Sequence, residues 1–427
     1  MDAFKAVLDE VISVFPKKPV GKVLVGMDTR ASGYELVNAV MDGVELVGVK
    51  CVLLGHVTTP QLHYYVSARN NYDHIDIKVL FPELYYNNLE NSFQTLFEAN
   101  CNEITPLYVD CANGIGAHSM SSVIKRITKD SVNIVLINTG YGRLNYRCGA
   151  DFVCTSQEFP VGLEDVPEGA RCCSLDGDAD RIIYFTKRKG KLVLLNGDRI
   201  AVLFAMYFKY LTMNVPAQNE CKIGIVQTAY SNGGSTSFIR KGMCMDICCT
   251  STGVKYLHQE AKAFDIGIYF ESNGHGTALF DPEFIKELEE YEDDNVFVTK
   301  LLAAYAMLNQ NVGDAISGLL FVECVLSAGL MLDEWVDLYP DLACCQLKAD
   351  VPDKNAITTC DAERKCVSPD GLQQAIDAIV GSYPKGRAFV RPSGTENCVR
   401  IYSEAASPQL ARQLAEEVSN KVSALVK

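Results

Sequence analysis

The sequence predicts a mixed α/β fold of several domains, with βαβ domains, mixed sheets and a C-terminal α+β domain. Short apolar runs alternate with helical patterns along most of the 427 residues, which is typical of βαβ units and largely parallel sheets. The alternation restarts near residue 223, and the last part of the chain instead has two strands around a loop, followed by one helix. We therefore expect repeated βαβ domains and a different final domain.

The individual elements follow from these patterns in chain order. An acidic amphipathic helix is predicted for residues 1–15, where apolar residues fall at helical spacing. The predicted strands are 22–27, 49–54, 107–111, 132–137, 171–175, 182–186, 191–195, 223–227, 266–270, 387–390 and 399–402. The predicted helices are 34–48, one from residue 198, 235–241, a helical series over 296–332, and a last helix with Ser407 as N-cap and Pro408 at its first position.

Domain boundaries are predicted near residues 103, 205 and 342, where Pro, Asn or charged residues cluster. At about 150 residues per domain, the length alone suggests three domains. The boundaries instead predict four ranges: 1–103, 104–205, 206–342 and 343–427.

Composition excludes several classes of function. Hydrophobic residues make up 48% and charged residues 22%, which is typical of a folded chain and not of a disordered one. The net charge of −14 repels nucleic acid and anionic membranes, so we expect neither as a partner. The 17 cysteines form no Cys-x-x-Cys pair, which argues against zinc. Their odd number, in a long chain in which we expect no secretory signal, favours reduced thiols in the cytoplasm. The apolar stretch 316–332 contains Glu323 and predicts a buried helix.

Three aspartates follow a predicted strand at alternate positions. Asp176, Asp178 and Asp180 are separated by small residues, and alternate positions of an extended segment share one face. Carboxylates without His or Cys suit Mg²⁺, with Mn²⁺ as a substitute. The alternative is a solvated acidic turn. An EF-hand does not fit, because its twelfth position is Lys187.

A Gly-rich turn follows the predicted strand 266–270. It contains Glu271, Asn273 and His275, whose side chains can hydrogen-bond several hydroxyl groups at the end of a strand. Glycines allow the backbone to approach a ligand closely. The alternative is an ordinary polar loop.

The loop near the C-terminus combines arginines, hydroxyls and a Gly-rich turn. Its candidate residues are Arg391, Ser393, Gly394, Thr395 and, on the next strand, Arg400. Arginine binds phosphate in a bidentate manner, and turn amides form an anion site. The loop lacks the Gly-Lys-Ser/Thr ending of a Walker A sequence. A plain Ser-Gly turn is the alternative.

Together the three loops resemble those of the α-D-phosphohexomutase family in their order along the chain and in their amino-acid sequences. The acidic loop reads Asp-Gly-Asp-Ala-Asp-Arg and the last loop reads Arg-Pro-Ser-Gly-Thr-Glu. Within that family the resemblance is to the members that act on N-acetylglucosamine phosphates, and it spans essentially the whole chain. The segments that carry it are 26–30, 58–64, 148–153, 227–230 and 252–255.

The resemblance implies a fold and a reaction. Members have four domains around a central cleft and convert N-acetylglucosamine 6-phosphate to the 1-phosphate, on the route to UDP-N-acetylglucosamine. A phosphoserine donates its phosphoryl group, and the bisphosphate formed turns around and returns the other phosphate. The implied ligands are Mg²⁺ and a small-molecule sugar phosphate. The implied roles are Mg²⁺ binding by Asp176, Asp178 and Asp180, sugar binding by Glu271, Asn273 and His275, and binding of the non-reacting phosphate by Arg391, Ser393, Gly394, Thr395 and Arg400.

The chain departs from the family at the catalytic phosphoserine. In the family this serine lies in a Thr-Ala-Ser-His-Asn-Pro loop, and no serine among residues 1–427 precedes His-Asn-Pro. We therefore expect no catalytic residue of this kind, and negligible mutase activity, in these residues alone. Three alternatives stay open. The first is a truncated gene model or isoform of a mutase whose full form is catalytic, and the second is a non-catalytic sugar-phosphate-binding protein. The third is a metal-dependent phosphatase or another phosphoryl-transfer enzyme. The third needs a nucleophilic Asp with its own motif, and none stands out.

Overall fold

The computed structural model describes residues 21–71, 77–98, 105–127, 132–215, 221–291, 295–394 and 396–426. The chain divides into two compact units, the first within residues 1–194 and 306–324, the second within 195–305 and 325–427. Both units combine helices with sheets, and parallel and antiparallel pairs occur in each. The predicted mixed α/β class is therefore confirmed, whereas the four domain ranges stay a prediction.

The first unit is built on two sheets. Its strands are β1 (Lys22–Met27), β2 (Lys50–His56), β3 (Leu107–Asp110), β4 (Ile134–Ile137), β5 (Arg171–Leu175), β6 (Ile182–Arg188) and β7 (Lys191–Leu195). Strands β1 and β2 pair in parallel, and the others form a sheet in the order β4-β3-β5-β6-β7. Because β3 and β5 run parallel, the turns after these two strands lie at the same edge of the sheet.

Five helices of this unit connect its successive strands up to β5. They are α1 (Gly33–Leu46), α2 (Thr59–Asn71), α3 (Ile77–Leu96), α4 (Gly116–Ile124) and α5 (Ala150–Ser156). Helix α5 buries Ala150 and Val153, one helical turn apart, in a cluster with Cys172 and Phe185 of the larger sheet. The spacing of three residues puts both side chains on one face, which explains this packing.

The second unit contains two larger sheets and a small hairpin. Its strands are β8 (Ile223–Thr228), β9 (Asp246–Thr250), β10 (Ile266–Phe270), β11 (Gly276–Phe280), β12 (Ala343–Asp350), β13 (Thr358–Cys360), β14 (Lys365–Ser368), β15 (Arg387–Pro392) and β16 (Cys398–Ala405). The first sheet has the order β11-β10-β8-β9, and the second has the order β12-β16-β15 with antiparallel pairing throughout. Strands β13 and β14 form the hairpin.

The helices after β7 are α6 (Gly197–Met213), α7 (Gly233–Ser237), α8 (Val254–Ala261), α9 (Pro282–Glu289), α10 (Val296–Met307), α11 (Ala315–Ser327), α12 (Leu332–Asp337), α13 (Leu372–Val380) and α14 (Pro408–Leu425). Helix α14 buries Leu414 and Val418 in a cluster with Val399 and Ile401 of β16. The side chain of Ser407 accepts a hydrogen bond from the N–H of Leu410, so the predicted N-cap is confirmed.

Most predicted elements are present, with shifted ends. The helix predicted for 235–241 begins at Gly233, because Asn232 caps it through the N–H of Gly234, and it continues as a π-helical turn over Phe238–Gly242. The helical series over 296–332 is divided into α10, α11 and the start of α12. Arg391, predicted in a loop, lies within β15 because this strand pairs with β16 up to Pro392. The helix predicted for 1–15 lies outside the described residues.

No helix in the part of the chain that the structure describes is both long and apolar enough to cross a membrane. The most apolar stretch forms α11, as a buried helix. Its Glu323 is buried, accepts a hydrogen bond from the Tyr184 hydroxyl at 3.0 Å and pairs with Arg171 at 3.1 Å. This pairing accounts for a carboxylate inside an apolar helix, since a buried charge requires a partner.

Candidate functional sites

The three aspartates of the acidic turn, residues 176–180, converge on one small volume. One oxygen of each of Asp176, Asp178 and Asp180 lies within 4.8 Å of the others. Ala179 is fully buried and has a φ of 60°, in the left-handed region, so the chain curls after β5 instead of continuing as a strand. The convergence predicted from the spacing is confirmed, and the metal role stays a prediction.

Hydrogen bonds hold the acidic turn in shape. Asp176 Oδ1 accepts from the N–H groups of Asp180 at 3.0 Å and of Arg181 at 3.2 Å. At the start of α2, the Thr59 hydroxyl donates to Asp178 Oδ2 at 2.7 Å. Two separate elements therefore orient the carboxylates, as a preorganised cation site requires.

The electrostatics of the turn favour a bound cation. Burial and the negative charges of Asp180 and Asp178 raise the pKa of Asp176 to about 8. Arg181 Nε lies 3.9 Å from Asp176 and 3.7 Å from Asp180, and Arg30 Nη2 lies 3.8 Å from Asp178. These distances exceed those of hydrogen-bonded ion pairs, so the carboxylates stay only partly compensated. A hard divalent ion with oxygen ligands would relieve the repulsion.

Two features of this site were not among the predicted site residues. Arg30, beyond β1, contacts both Asp28 and Asp178. Gly114, in the turn after β3, lies so close to Gly177 that a Cβ there would be 2.4 Å from the Gly177 carbonyl oxygen. The same carbonyl accepts from the N–H of Ile115 at 3.1 Å. The sequence shows this turn, but its contact with the acidic turn depends on the pairing of β3 with β5.

The Gly-rich turn closes a hairpin between β10 and β11. The Glu271 N–H donates to the His275 carbonyl at 2.9 Å, and the Gly274 N–H donates to the Glu271 carbonyl at 2.8 Å. Gly274 has a φ of 91°, which glycine adopts without strain. A Cβ at Gly276 would lie 2.1 Å from the Tyr269 carbonyl oxygen. The glycines are therefore required by this tight turn.

The polar side chains of the turn lie together. Asn273 Nδ2 donates to Glu271 Oε2 at 3.4 Å, and Asn273 Oδ1 accepts from the His275 N–H at 3.1 Å. Glu271 and Asn273 are half-buried, whereas His275 is 6% exposed. Of the three predicted sugar-binding residues, His275 is thus the least accessible.

Helix α6 begins against the same turn, a contact that the sequence did not predict. A Cβ at Gly197 would lie 1.9 Å from the Glu271 carbonyl oxygen, so only glycine fits there. The preceding Asn196 caps the helix by accepting from the Arg199 N–H at 3.3 Å. The start of α6 therefore supports the backbone of Glu271.

The predicted phosphate-binding arginines lie in one row of cations across the last sheet. Arg391 of β15 is directly opposite Arg400 of β16, and Arg400 is directly opposite Lys348 of β12. Directly opposite residues point to the same face. We call Lys348, Arg400 and Arg391 the cationic row. Lys348 was not predicted, because only the strand register reveals it.

Each member of the cationic row has a carboxylate partner. Glu396 contacts Arg400 at 2.5 Å and Lys348 at 3.0 Å, with all three side chains exposed. Glu363 Oε2 contacts Arg391 Nη1 at 3.0 Å, and both of these side chains are largely buried. Two carboxylates therefore face three cations, so the row keeps a net positive charge. An anion that binds there must compete with Glu396 and Glu363 for the cations.

The loop beside the row is held by its own bonds. The Ser393 N–H donates to the Cys398 carbonyl at 2.9 Å, and Ser393 Oγ accepts from the Glu396 N–H at 3.3 Å. Lys354, which was not predicted, donates to the carbonyls of Ser393 at 2.7 Å and Gly394 at 3.3 Å. A Cβ at Gly394 would meet no atom within 4 Å. Thr395 lies outside the described residues.

Models of known families match most of the chain. The matches are "Phosphoglucomutase/phosphomannomutase, alpha/beta/alpha domain I" at residues 2–79, "Phosphoacetylglucosamine mutase AMG1, domain II" at 78–183, its domain III at 196–330, and "Phosphoglucomutase/phosphomannomutase, C-terminal domain" at 347–421.

Individual relatives agree with these matches. The chain is 44% identical to phosphoacetylglucosamine mutase of Homo sapiens over 408 residues, which cover 93% of this chain and 74% of the relative. It is 39% identical to that of Oryza sativa subsp. japonica, over 94% of this chain and 75% of the relative. The crystal structure of Aspergillus fumigatus N-acetylphosphoglucosamine mutase in complex with GlcNAc-6P and magnesium superposes with a TM-score of 0.92 at 37% identity, covering 99% of this chain and 81% of the other.

Proposed function

Because the chain belongs to the phosphoacetylglucosamine mutases of the α-D-phosphohexomutase family, we propose that its reaction is the interconversion of N-acetylglucosamine 6-phosphate and N-acetylglucosamine 1-phosphate. The reaction would pass through a bisphosphate and supply the 1-phosphate for UDP-N-acetylglucosamine synthesis. The observation that carries the proposal is the cationic row beside the loop 393–394. Arginines with adjacent loop amides and a hydroxyl are a typical phosphate-binding set.

The non-reacting phosphate of the substrate would bind where β15 ends and β16 begins. Arg391 and Arg400 would supply guanidinium donors, and Ser393 and Gly394, with Thr395 by the family resemblance alone, would supply loop donors. Arg391 Nε is buried and has no hydrogen-bond partner among the described residues, which leaves a donor for an anion. A single phosphate site of this kind serves both orientations of the sugar, because turning the bisphosphate around places its other phosphate there.

The sugar would be bound by the turn between β10 and β11. Glu271 accepts hydrogen bonds from hydroxyl groups, and Asn273 both donates and accepts. Their mutual contact at 3.4 Å holds the two side chains together, so neighbouring hydroxyls of one ring can be bound at once. His275 completes the proposed set from a buried position.

The acidic turn fits Mg²⁺. Its donors are carboxylate oxygens alone, they converge within 4.8 Å, and their mutual repulsion contributes to the raised pKa of Asp176. Mg²⁺ bound by Asp176, Asp178 and Asp180 would act as a Lewis acid that withdraws charge from a phosphoryl oxygen. Thr59 and the backbone N–H groups of residues 180–181 keep the carboxylates in position.

Residues 1–427 contain no serine in a Ser-His-Asn-Pro sequence. The reaction moves a phosphoryl group between two oxygens of one sugar, so a residue must carry it between the two half-reactions. Removing the nucleophile of a well-studied hydrolase lowers kcat by about 10⁶-fold. We therefore propose that residues 1–427 by themselves bind the sugar phosphate without completing the reaction. A non-catalytic sugar-phosphate-binding protein is the second candidate function.

The experiment combines binding and turnover on the purified polypeptide of residues 1–427. Calorimetry with N-acetylglucosamine 6-phosphate and Mg²⁺ should show binding. A coupled assay for N-acetylglucosamine 1-phosphate, with glucose 1,6-bisphosphate as primer, should show no product above background. Fusion of an upstream segment with Thr-Ala-Ser-His-Asn-Pro should restore turnover if the chain is part of a catalytic mutase, and should not if it is a non-catalytic binder.

Two results would contradict these proposals. Absence of sugar-phosphate binding would refute the substrate assignment. Turnover by residues 1–427 alone at about 1 s⁻¹ or faster, within the usual enzyme range, would show that another residue carries the phosphoryl group.

The proposed compartment is the cytoplasm, and no nucleic-acid or membrane partner is proposed. The cysteines in the described part of the chain are free thiols, which suits a reducing compartment. The net charge of −14 opposes binding to polyanions and anionic lipids.

A further inference from the structure

Glu363 joins two loops of the second unit through one carboxylate oxygen. Its Oε2 accepts from Arg391 Nη1 at 3.0 Å and from the N–H of Thr252 at 2.9 Å. The side chains of Arg391 and Glu363 are 14% and 19% exposed. The end of β15 is therefore tied to the turn that precedes α8, in a place largely shielded from water.

An unusual backbone carries this carboxylate. Asp361, Ala362 and Glu363 have φ values of 54°, 55° and 64°, so three consecutive residues with a Cβ adopt the left-handed region. Such residues occur singly as a rule and are strained. Arg364 supports the loop by donating to the Asp361 carboxylate at 2.5 Å and to its carbonyl at 3.0 Å. Backbone strain of this kind is characteristic of functional sites.

We infer that Glu363 is a positioning residue for the phosphate-binding site, which rests on the proposed function of Arg391. A guanidinium group has five N–H donors in a planar fork. Glu363 engages Nη1, and the guanidinium carbon lies 5.8 Å from the centre of the Tyr230 ring. These contacts orient the plane of the fork and leave Nε, which has no partner in the described structure, for an anion.

The same oxygen couples Arg391 to the turn at Thr252 and Gly253. A carboxylate that only compensated the charge of Arg391 would compete with phosphate, so removing it would tighten phosphate binding. A carboxylate that positions Arg391 has the opposite effect, because its loss frees the side chain and the turn together. The direction of the change in affinity therefore separates the two roles.

The test compares Glu363→Ala with the isosteric Glu363→Gln in residues 1–427. Glutamine keeps an acceptor oxygen and loses the charge. Calorimetry uses two probes, inorganic phosphate and N-acetylglucosamine 6-phosphate. Glu363→Ala should lower the affinity for each probe by about tenfold, which is the scale of one lost hydrogen bond to a charged group. The affinities of Glu363→Gln should stay within about threefold of those of the unaltered chain. The matched control is Glu416→Ala, which breaks the exposed pair with Arg412 and should leave both affinities unchanged.

Thermal unfolding checks that each variant is folded. If Glu363→Ala does not fold, Glu363→Asp replaces it. Aspartate keeps the charge but has a shorter side chain, so Glu363→Asp should bind phosphate more weakly than Glu363→Gln. Glu363→Gln binding more weakly than Glu363→Asp would overturn the inference.

The remaining outcomes separate this inference from the proposed function. Equal or tighter phosphate binding by folded Glu363→Ala would overturn the inference while leaving the function intact. If the unaltered chain binds phosphate but not the sugar phosphate, the proposed function fails and the phosphate arm still decides the role of Glu363. If the unaltered chain binds neither inorganic phosphate nor the sugar phosphate, both the inference and the proposed function are overturned.

Discussion

The acidic turn and the cationic row hold their charges in opposite ways. Three carboxylates converge in the acidic turn, and the guanidinium nitrogens of Arg30 and Arg181 lie 3.7 to 3.9 Å from them. In the cationic row, carboxylate oxygens lie 2.5 to 3.0 Å from each cation. The first site concentrates charge of one sign, whereas the second compensates most of its three positive charges with the two carboxylates of Glu396 and Glu363.

The difference predicts how each site responds to its ligand. A cation entering the acidic turn relieves repulsion among buried carboxylates, and interactions between such charges are strong where water is excluded. An anion at the cationic row gains less, because the cations already have partners. Removing a ligand residue should therefore have a larger effect at the acidic turn than at the row.

The largest effect is expected for Asp176→Asn. It removes one of three convergent carboxylates, and Mg²⁺ affinity measured by calorimetry should fall by at least about 100-fold, beyond the range known for residues that only support a metal ligand. The control is Asp165→Asn, which removes an exposed carboxylate outside the acidic turn and should leave Mg²⁺ affinity nearly unchanged. Unchanged affinity in Asp176→Asn would remove the acidic turn as the Mg²⁺ site.

Arg391→Ala should weaken N-acetylglucosamine 6-phosphate binding by about 1.5–3 kcal/mol, or roughly 10- to 100-fold, because a charge-assisted hydrogen bond is lost. N-acetylglucosamine without a phosphate should bind poorly to the variant and to the unaltered chain alike. The matched control is Arg412→Ala, an exposed arginine of α14. Equal affinities for the sugar phosphate in Arg391→Ala and the control would contradict the role of the row.

The pH dependence of Mg²⁺ binding tests the acidic turn directly. The pKa of Asp176 is raised to about 8, so the carboxyl is protonated below that pH and a metal must displace the proton. Mg²⁺ affinity should rise by about tenfold between pH 6 and pH 7 and level off above about 8.

The Asp176 carboxyl group also makes the free energy of unfolding of the metal-free protein depend on pH. The raised pKa means that the folded state binds the proton more tightly than the unfolded state, whose Asp has a pKa of about 3.9. Its contribution to stability is therefore lost as the pH rises from about 4 to about 8. Urea unfolding without metal should show this decline, and Asp176→Asn should reduce it. A profile identical in both proteins would argue against the raised pKa.

The smallest effect is expected for Glu396→Gln. Glu396 pairs with Lys348 and Arg400 on the surface, and exposed ion pairs contribute little. Freeing two cations should tighten phosphate binding by about twofold to fivefold at low salt. The gain should disappear at about 1 M salt, where the Debye length is about 3 Å. Weaker binding at low salt would mean that Glu396 positions the row instead of competing with phosphate.

The candidate ligand-binding residues of the three loops could be predicted without a structure. Aspartates at alternate positions after a strand, a Glu-x-Asn motif followed by two glycines, and an Arg-Pro-Ser-Gly loop are local patterns. So are the strand and helix alternation and the Ser407 cap of α14. These features depend on residues close together in the chain, where side-chain spacing and capping decide the conformation.

Only the tertiary structure decided which distant residues complete the sites. Lys348 contacts Glu396 across 48 positions, and Thr252 contacts Glu363 across 111. The cationic row depends on the register of β12, β16 and β15, and Gly114 meets Gly177 because β3 and β5 are neighbours. Strand register and the left-handed loop at 361–363 are set by packing against the rest of the fold. The sequence by itself therefore determined the order of elements and which residue types each candidate site contains, and long-range packing decided the partners of each charge.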